Sequence, residues 1–227
     1  MKNTMAQTLH VTSPFKRVTL AVAAALALST LAACVPLVIG GAMVGGTMLA
    51  IDRRTSGAQL EDEGIELRAA SRIRTSIGDR AHVNVTSYNR QVLITGEVPN
   101  EPDKQAVGQI VTKVENVTSV VNELAIAPSS TLSQRSNDVL ITGRIKAALI
   151  DTKDLVSSAF KVTTERGVVH LMGRVTQREA DRATAIARGT TGVQKVVRVF
   201  ETISEEELTR MMPVPAKPDA NKTAPAN

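Results

Sequence analysis

The sequence contains few of the residues that build disulfides, metal clusters and aromatic binding platforms. Its 227 residues include one cysteine, three histidines, no tryptophan and only 2% aromatic residues. A single cysteine excludes an intramolecular disulfide, and so few histidines leave little for a transition-metal site. The shortage of aromatic rings argues against single-stranded nucleic acid as a ligand, because bases stack on aromatic side chains. We therefore expect no nucleic-acid partner, no metal and no cofactor, although 43% hydrophobic residues are enough to form a buried core.

The first 33 residues are typical of a secretory signal peptide. They contain three basic residues and no acidic one, and their apolar run from Val18 to Leu31 is too short to span a membrane. The run leads into Leu31-Ala32-Ala33-Cys34, the lipobox pattern of bacterial lipoproteins. We predict that residues 1–33 are removed and that Cys34 carries the acyl chains of the mature protein. Two or three acyl chains would anchor it durably, whereas one chain binds a membrane only marginally.

Val35, the residue after the predicted lipidation site, bears on which membrane receives the anchor. In enterobacterial lipoproteins an aspartate at this position is linked to inner-membrane retention. Resemblance to that sorting rule therefore predicts the periplasmic face of the outer membrane. Removal of the signal peptide leaves 24 basic against 22 acidic side chains, so the formal charge falls from +5 to +2. The mature chain is not basic enough to predict general binding to polyanions.

Residues 34–61 form a predicted membrane-proximal linker that is rich in glycine. From Val35 to Ile51 the chain is a 17-residue apolar run that contains Pro36 and four glycines. This length is at the short limit for a transmembrane helix, and proline and glycine disfavour a helix further. We favour a segment that lies along the lipid surface over one that spans the membrane, and the sequence leaves both open.

The remainder of the chain contains one unit twice, with four sequence blocks repeated in the same order. The helical pattern that starts at Asp62 returns at Asp138, 76 residues later. The strand pattern Val92-x-Ile94-x-Gly96-x-Val98 returns as Val169-x-Leu171-x-Gly173-x-Val175, 77 residues later. The predicted boundaries are a first unit at 62–127, a linker at 128–137, a second unit at 138–203 and a disordered tail at 204–227.

Each unit is predicted to fold as α-β-β-α-β, an α+β sandwich with its helices on one face of a small sheet. The first helices are expected from Asp62 to Ile77 and from Asp138 to Ile150, each with its aspartate as N-cap. Alternating hydrophobicity predicts two hairpins, at 82–98 and 160–175. A second helix (roughly 101–115 and 177–190) and a last strand (118–126 and 194–203) complete the units. Glycines inside the strand patterns suggest a bulge or a close helix approach.

This order of elements, together with the strand pattern and the closing Gly192-Val193-x-x-Val196-x-x-x-Phe200, resembles BON domains. Two such domains behind a lipobox resemble the outer-membrane lipoproteins of the DolP type, within an OsmY-like BON family. The resemblance spans about residues 31–203. It implies a protein that supports outer-membrane integrity, concentrates at division sites and influences the activation of cell-wall amidases.

Motifs of known catalytic sites are absent from the sequence. There is no G-x-S-x-G, no Walker loop, no H-E-x-x-H and no cysteine left to act as a nucleophile. His82 and His170 fall on predicted strands without a second histidine at ligand spacing, so we interpret them as structural. We therefore expect a protein that is not an enzyme.

The two units differ in charge, and the second is the basic one. Residues 62–127 contain 7 basic and 9 acidic residues, whereas residues 138–203 contain 11 basic and 7 acidic residues. A basic module held beside a membrane favours an anionic lipid headgroup as its ligand.

The first helix of the second unit has apolar residues on two opposite sides. At 100° per residue, one side should face the sheet, and it contains Ile141, Ile145, Ala148 and Leu149. The other side contains Val139, Leu140, Gly143, Ala147 and Ile150, flanked by Arg144 and Lys146. This second stripe needs a cover, which a membrane with anionic lipid, the first unit or a protein partner would each supply.

The family resemblance favours lipid, because the second BON domain of DolP-type proteins binds anionic phospholipid through this helix. Leu140 stands where the family has a tryptophan. We therefore predict that phosphatidylglycerol or cardiolipin is bound by Leu140, Arg144, Ile145, Lys146, Ala147 and Ile150. The assignment of Ile145 rests on the resemblance alone, because it falls on the expected core side. The alternative is a periplasmic adaptor whose stripe docks an envelope-assembly or amidase-activation partner.

Overall fold

The computed structural model describes residues 52–211. Cys34, the predicted signal peptide and the apolar run at 35–51 lie outside the described residues. The first repeat consists of α1 (Ser56–Ile77), β1 (His82–Tyr88), β2 (Gln91–Val98), α2 (Glu101–Thr112), β3 (Ser119–Asn122) and β4 (Ala125–Ile126). The second consists of α3 (Leu132–Asp151), β5 (Phe160–Glu165), β6 (Val168–Val175), α4 (Gln177–Gly189) and β7 (Lys195–Thr202), and α5 (Glu205–Met211) follows.

Each repeat forms its own sheet from an antiparallel hairpin and a returning parallel strand. In the first repeat β1 pairs antiparallel with β2, and β3 and β4 pair parallel with β2. In the second repeat β5 pairs antiparallel with β6, and β7 pairs parallel with β6. The parallel return requires a crossover, which α2 and α4 provide. The predicted α-β-β-α-β order and the α+β class are confirmed.

A buried aspartate from the first helix of each repeat holds the turn of the hairpin. Asp62 accepts hydrogen bonds from the backbone N–H groups of Asn89, at 2.8 Å, and Arg90, at 2.7 Å. Asp138 accepts two equivalent bonds of 2.8 Å. The donors in that second turn are Arg166 and Gly167. All four turn residues have positive φ, from 50° to 73°, as a two-residue type I′ turn requires.

The prediction that these aspartates are N-caps is wrong, because both helices begin earlier. Thr55 caps α1, and its Oγ1 accepts a hydrogen bond of 3.1 Å from the N–H of Ala58. Thr131 and Gln134 form a reciprocal capping box at the start of α3. Residues 132–137, which the sequence analysis assigned to a linker, are therefore the first turns of α3. Each aspartate lies about two turns into its helix and faces the sheet.

Each repeat packs its two long helices against one face of its own sheet. The core of the first repeat includes Ile65, Val92, Ile94 and Val107. The core of the second includes Ile141, Ile145, Leu171 and Ala183. The strand glycines allow a close approach of backbone, since a Cβ on Gly96 would lie 2.0 Å from the carbonyl oxygen of His82. The backbone that approaches Gly96 therefore belongs to β1 and not to a helix.

The two sheets contact each other through the faces that carry no helices. Tyr88, Leu93, Met172 and Val199 form one buried cluster there, with two residues from each sheet. Polar contacts surround it. They include Lys161 Nζ to Glu66 Oε1 at 2.7 Å and Asn89 Nδ2 to Glu201 Oε2 at 2.6 Å. Both helix layers therefore lie on the outside of the pair.

The segment after the second repeat is helical at its start. α5 contacts the second domain through ion pairs from Arg174 to Glu207 and from Arg178 to Glu205. The expectation of disorder from residue 204 is therefore wrong for residues 205–211, and 212–227 lie outside the described residues. Between residues 52 and 211, no helix is both long and apolar enough to cross a membrane.

Asp138→Ala should lower the free energy of unfolding by about 2 kcal/mol or more, because two turn N–H groups lose their acceptor. Asp154→Ala is a matched control, since that side chain is 54% exposed and its ion pairs should contribute little. Urea unfolding of the mature chain, with Cys34→Ala to prevent acylation, would measure both. Equal unfolding midpoints for the two variants would contradict the turn-holding role.

His170 should make the fold less stable in mild acid. Its side chain is 3% exposed, and burial lowers its pKa, while Glu123, 3.9 Å away, partly opposes that shift. Because the unfolded chain then binds a proton more readily, the free energy of unfolding should fall as the pH drops below about 6.5. His170→Gln should lose less stability than wild type between pH 7.5 and 5.5 in urea titrations. Parallel pH profiles for the two proteins would disprove this role.

Candidate functional site

The outer side of α3 exposes a group of apolar residues. Leu132, Val139, Leu140 and Ile150 are between 58 and 82% exposed, and Gly143 and Ala147 lie between them on the same side. We call these six residues the outer face of α3. Large exposed apolar patches on a folded domain are typical of sites that contact a partner protein or a membrane. The first domain does not cover this surface, so that alternative from the sequence analysis is excluded.

The opposite side of α3 fixes the orientation of the helix. Ile141, Ile145 and Leu149 lie in the core of the second domain, as their spacing predicts. Ile145 is 0% exposed. Its predicted contact with lipid is therefore corrected, because a core side chain cannot reach a surface ligand while the domain stays folded.

Two cations flank the outer face. Arg144 and Lys146 are both exposed, and Arg144 Nη1 donates a hydrogen bond of 3.3 Å to the carbonyl oxygen of Thr191. From Val139 to Ile150 the helix contains no acidic residue. The surface therefore combines apolar area with positive charge, the two features that attract an anionic membrane surface.

The equivalent helix of the first domain has a different surface. Leu60 and Leu67 on α1 are 72 and 73% exposed, but charged side chains surround them. Arg68 pairs with Glu61 at 2.6 Å, and Arg72 pairs with Glu115 at 2.6 Å. These pairs neutralise the positive charge of α1, so the first domain offers less to an anionic ligand.

A shallow, open depression lies on α2. It has a volume of about 590 Å³ and is lined by Gln105, Gly108, Gln109, Thr112 and Lys113. These five residues supply no activated nucleophile and no pair of groups for acid–base chemistry. The depression therefore does not suggest a reaction.

One cluster that sequence reasoning missed lies at the junction of the two domains. His82 Nδ1 is 3.1 Å from Glu97 Oε2 and 3.8 Å from Glu165 Oε1. His82 and Glu97 come from the first domain and Glu165 from the second. The only sequence signal is the pairing of His82 opposite Glu97 in the hairpin, because nothing in the sequence indicates that β5 lies nearby.

The comparisons with known proteins agree with the repeated fold. The family model described as "BON domain" matches residues 62–128 and again residues 137–203. The outer membrane lipoprotein DolP of Haemophilus influenzae is 35% identical over 191 residues, which cover 83% of this chain and 97% of that protein. The 21 kDa hemolysin of Actinobacillus pleuropneumoniae is 32% identical over 67% of this chain and 80% of its own length.

A third relative shares the domains over a smaller part of the chain. The osmotically-inducible protein Y of Escherichia coli is 31% identical over 123 residues, or 53% of this chain and 61% of its own length. The predicted resemblance to BON domains is thus confirmed in both repeats. The chain belongs to the BON-domain family and is similar over most of its length to an outer membrane lipoprotein.

Proposed function

We propose that this protein is an outer-membrane lipoprotein, anchored through Cys34 on the periplasmic face, whose second BON domain binds anionic phospholipid. The observation that carries the proposal is the exposed outer face of α3 with its flanking cations. Phosphatidylglycerol and cardiolipin are the lipids of the required charge. The two relatives that are similar over two thirds or more of this chain have names that denote no enzyme, in agreement with a binding role.

Both parts of the surface contribute to the expected binding energy. Burial of apolar side chains in the lipid interface contributes about 25 cal/mol per Å² of area removed from water. Each basic residue close to an anionic leaflet adds about 1 kcal/mol, which salt weakens. Leu140 replaces the tryptophan of the family and loses the interfacial preference of an indole ring. We therefore expect weak binding by the isolated surface.

The predicted anchor compensates for weak binding. Only 17 residues separate Cys34 from Asp52, where the described chain begins, so an extended tether spans at most about 60 Å. A domain tethered at this distance samples the same membrane at a high effective concentration. A modest affinity of α3 for lipid is then enough to hold the second domain on the surface.

By family resemblance, we extend the proposal to support of outer-membrane integrity at division sites. A deletion strain with unchanged sensitivity to detergent and vancomycin would contradict this part. The second candidate is the adaptor role, in which the outer face of α3 docks an envelope-assembly or amidase-activation partner. It is favoured by the exposure of Leu60 and Leu67 on α1, which a protein partner would also cover.

Leu140→Glu should weaken binding to anionic lipid strongly, because it places a negative charge in the outer face. The measurement is co-sedimentation of the mature chain carrying Cys34→Ala with vesicles of phosphatidylcholine, with and without phosphatidylglycerol. We expect binding only with phosphatidylglycerol, and a loss of at least about tenfold in the variant, which corresponds to about 1.4 kcal/mol.

Leu67→Glu is the matched control, since Leu67 is also exposed, at 73% against 58% for Leu140, but lies on α1. It should bind these vesicles as wild type does. Absence of binding by the wild type, or an equal loss in both variants, would overturn the proposal and favour a protein partner.

A further inference from the structure

Three potential ligand side chains converge where β1, β2 and β5 meet. His82, Glu97 and Glu165 each contribute one donor atom, and these three atoms lie within 4.8 Å of one another. Two of the separations, 3.1 and 3.8 Å, are close to the spacing of about 3.3 Å between ligands of a tetrahedral ion with bonds of about 2.0 Å. The 3.1 Å contact is a hydrogen bond between His82 Nδ1 and Glu97 Oε2, which an ion at this point would replace.

Glu97 lacks a full set of hydrogen-bond partners although its side chain is 0% exposed. Its Oε2 accepts hydrogen bonds from the N–H of Ser130, at 3.2 Å, and from Ser130 Oγ, at 3.3 Å. Its Oε1 accepts no hydrogen bond from residues 52–211, and Arg166 Nη1 is 3.6 Å away. A buried carboxylate oxygen without a donor is costly. A metal cation held by both oxygens of Glu97 would satisfy it, since Oε2 is the atom next to His82.

A hydrogen bond also orients the carboxylate of Glu165 toward His82. Asn84 Nδ2 donates a hydrogen bond of 3.0 Å to Oε2 of Glu165, and Oε1 is the atom nearest to His82. Ser130 and Asn84 correspond to the outer hydrogen-bond partners that orient carboxylate ligands in metal sites.

We propose that His82, Glu97 and Glu165 bind one Zn²⁺ ion, with water as the fourth ligand. One imidazole with two carboxylates is a donor set that Zn²⁺ accepts. Two carboxylates and a neutral imidazole also balance the charge of the ion. The guanidinium of Arg166 lies close to the cluster, and its side chain is 38% exposed, so it can move into solvent. The ion would link the two domains, because Glu165 comes from the second.

The first test is a calorimetric titration of Zn²⁺ into the mature chain with Cys34→Ala, which removes the only thiol. We expect one Zn²⁺ per chain, with an affinity at least tenfold lower in His82→Asn and in Glu165→Gln. His170→Gln is the control, because it removes a buried histidine outside the cluster, and it should bind as wild type does. Absence of Zn²⁺ binding, or equal affinity in His82→Asn and His170→Gln, would overturn the proposal.

The second test separates loss of the ion from loss of the fold. Zn²⁺ should raise the thermal midpoint of the wild type and of His170→Gln, because an ion that binds only the folded state stabilises it. His82→Asn and Glu165→Gln should keep the circular dichroism of the wild type without added metal and should show no rise with Zn²⁺. An equal rise in Glu165→Gln would show that the ion binds elsewhere and would overturn the proposal.

Discussion

The contact between the two sheets determines which faces of the two domains remain exposed. Leu93 and Met172 are fully buried at this contact, with Tyr88 and Val199 beside them. Each sheet is covered on one face by its own helices and on the other by the second sheet. The helices must therefore lie outside, and the outer side of α3 stays open. The repeated fold alone would leave a second apolar sheet face exposed, so the pairing also explains why the two repeats occur as one unit.

Polar contacts hold the two domains together and bind the segment that precedes α1. Arg53, from the segment before α1, donates two hydrogen bonds of 2.7 Å to Glu179 in the second domain, and both side chains are buried. Burial opposes ionisation of Glu179, but the contact with Arg53 prevails and keeps its pKa below the usual range. The segment that leads from the predicted anchor is thus bound to the domain that carries the outer face of α3. Removal of one partner would leave a buried charge unpaired, which is strongly unfavourable.

Much of the fold could be predicted from periodicity and repetition, because helices, hairpins and core positions are local properties. The inner side of α3 follows directly from the 3.6-residue period. The role of Asp62 was not predicted, since an aspartate before an apolar pattern resembles an N-cap, and the true caps, Thr55 and Thr131, lie seven residues before the predicted helix starts. The domain contact and the approach of Glu165 to His82 join residues far apart in sequence, for which a single sequence carries no signal. At Ile145 two predictions from the sequence disagreed. The helical periodicity correctly predicted burial, whereas the family resemblance suggested contact with lipid.

Contact of the outer face of α3 with anionic lipid is the central proposal for this protein. Paramagnetic broadening of amide resonances would test it directly, with the mature chain carrying Cys34→Ala on bicelles that contain spin-labelled phosphatidylglycerol. We predict broadening at Val139, Gly143 and Ala147, whereas Gly64 and Leu67 on α1 stay sharp. Broadening confined to α1, or equal on both helices, would contradict the account.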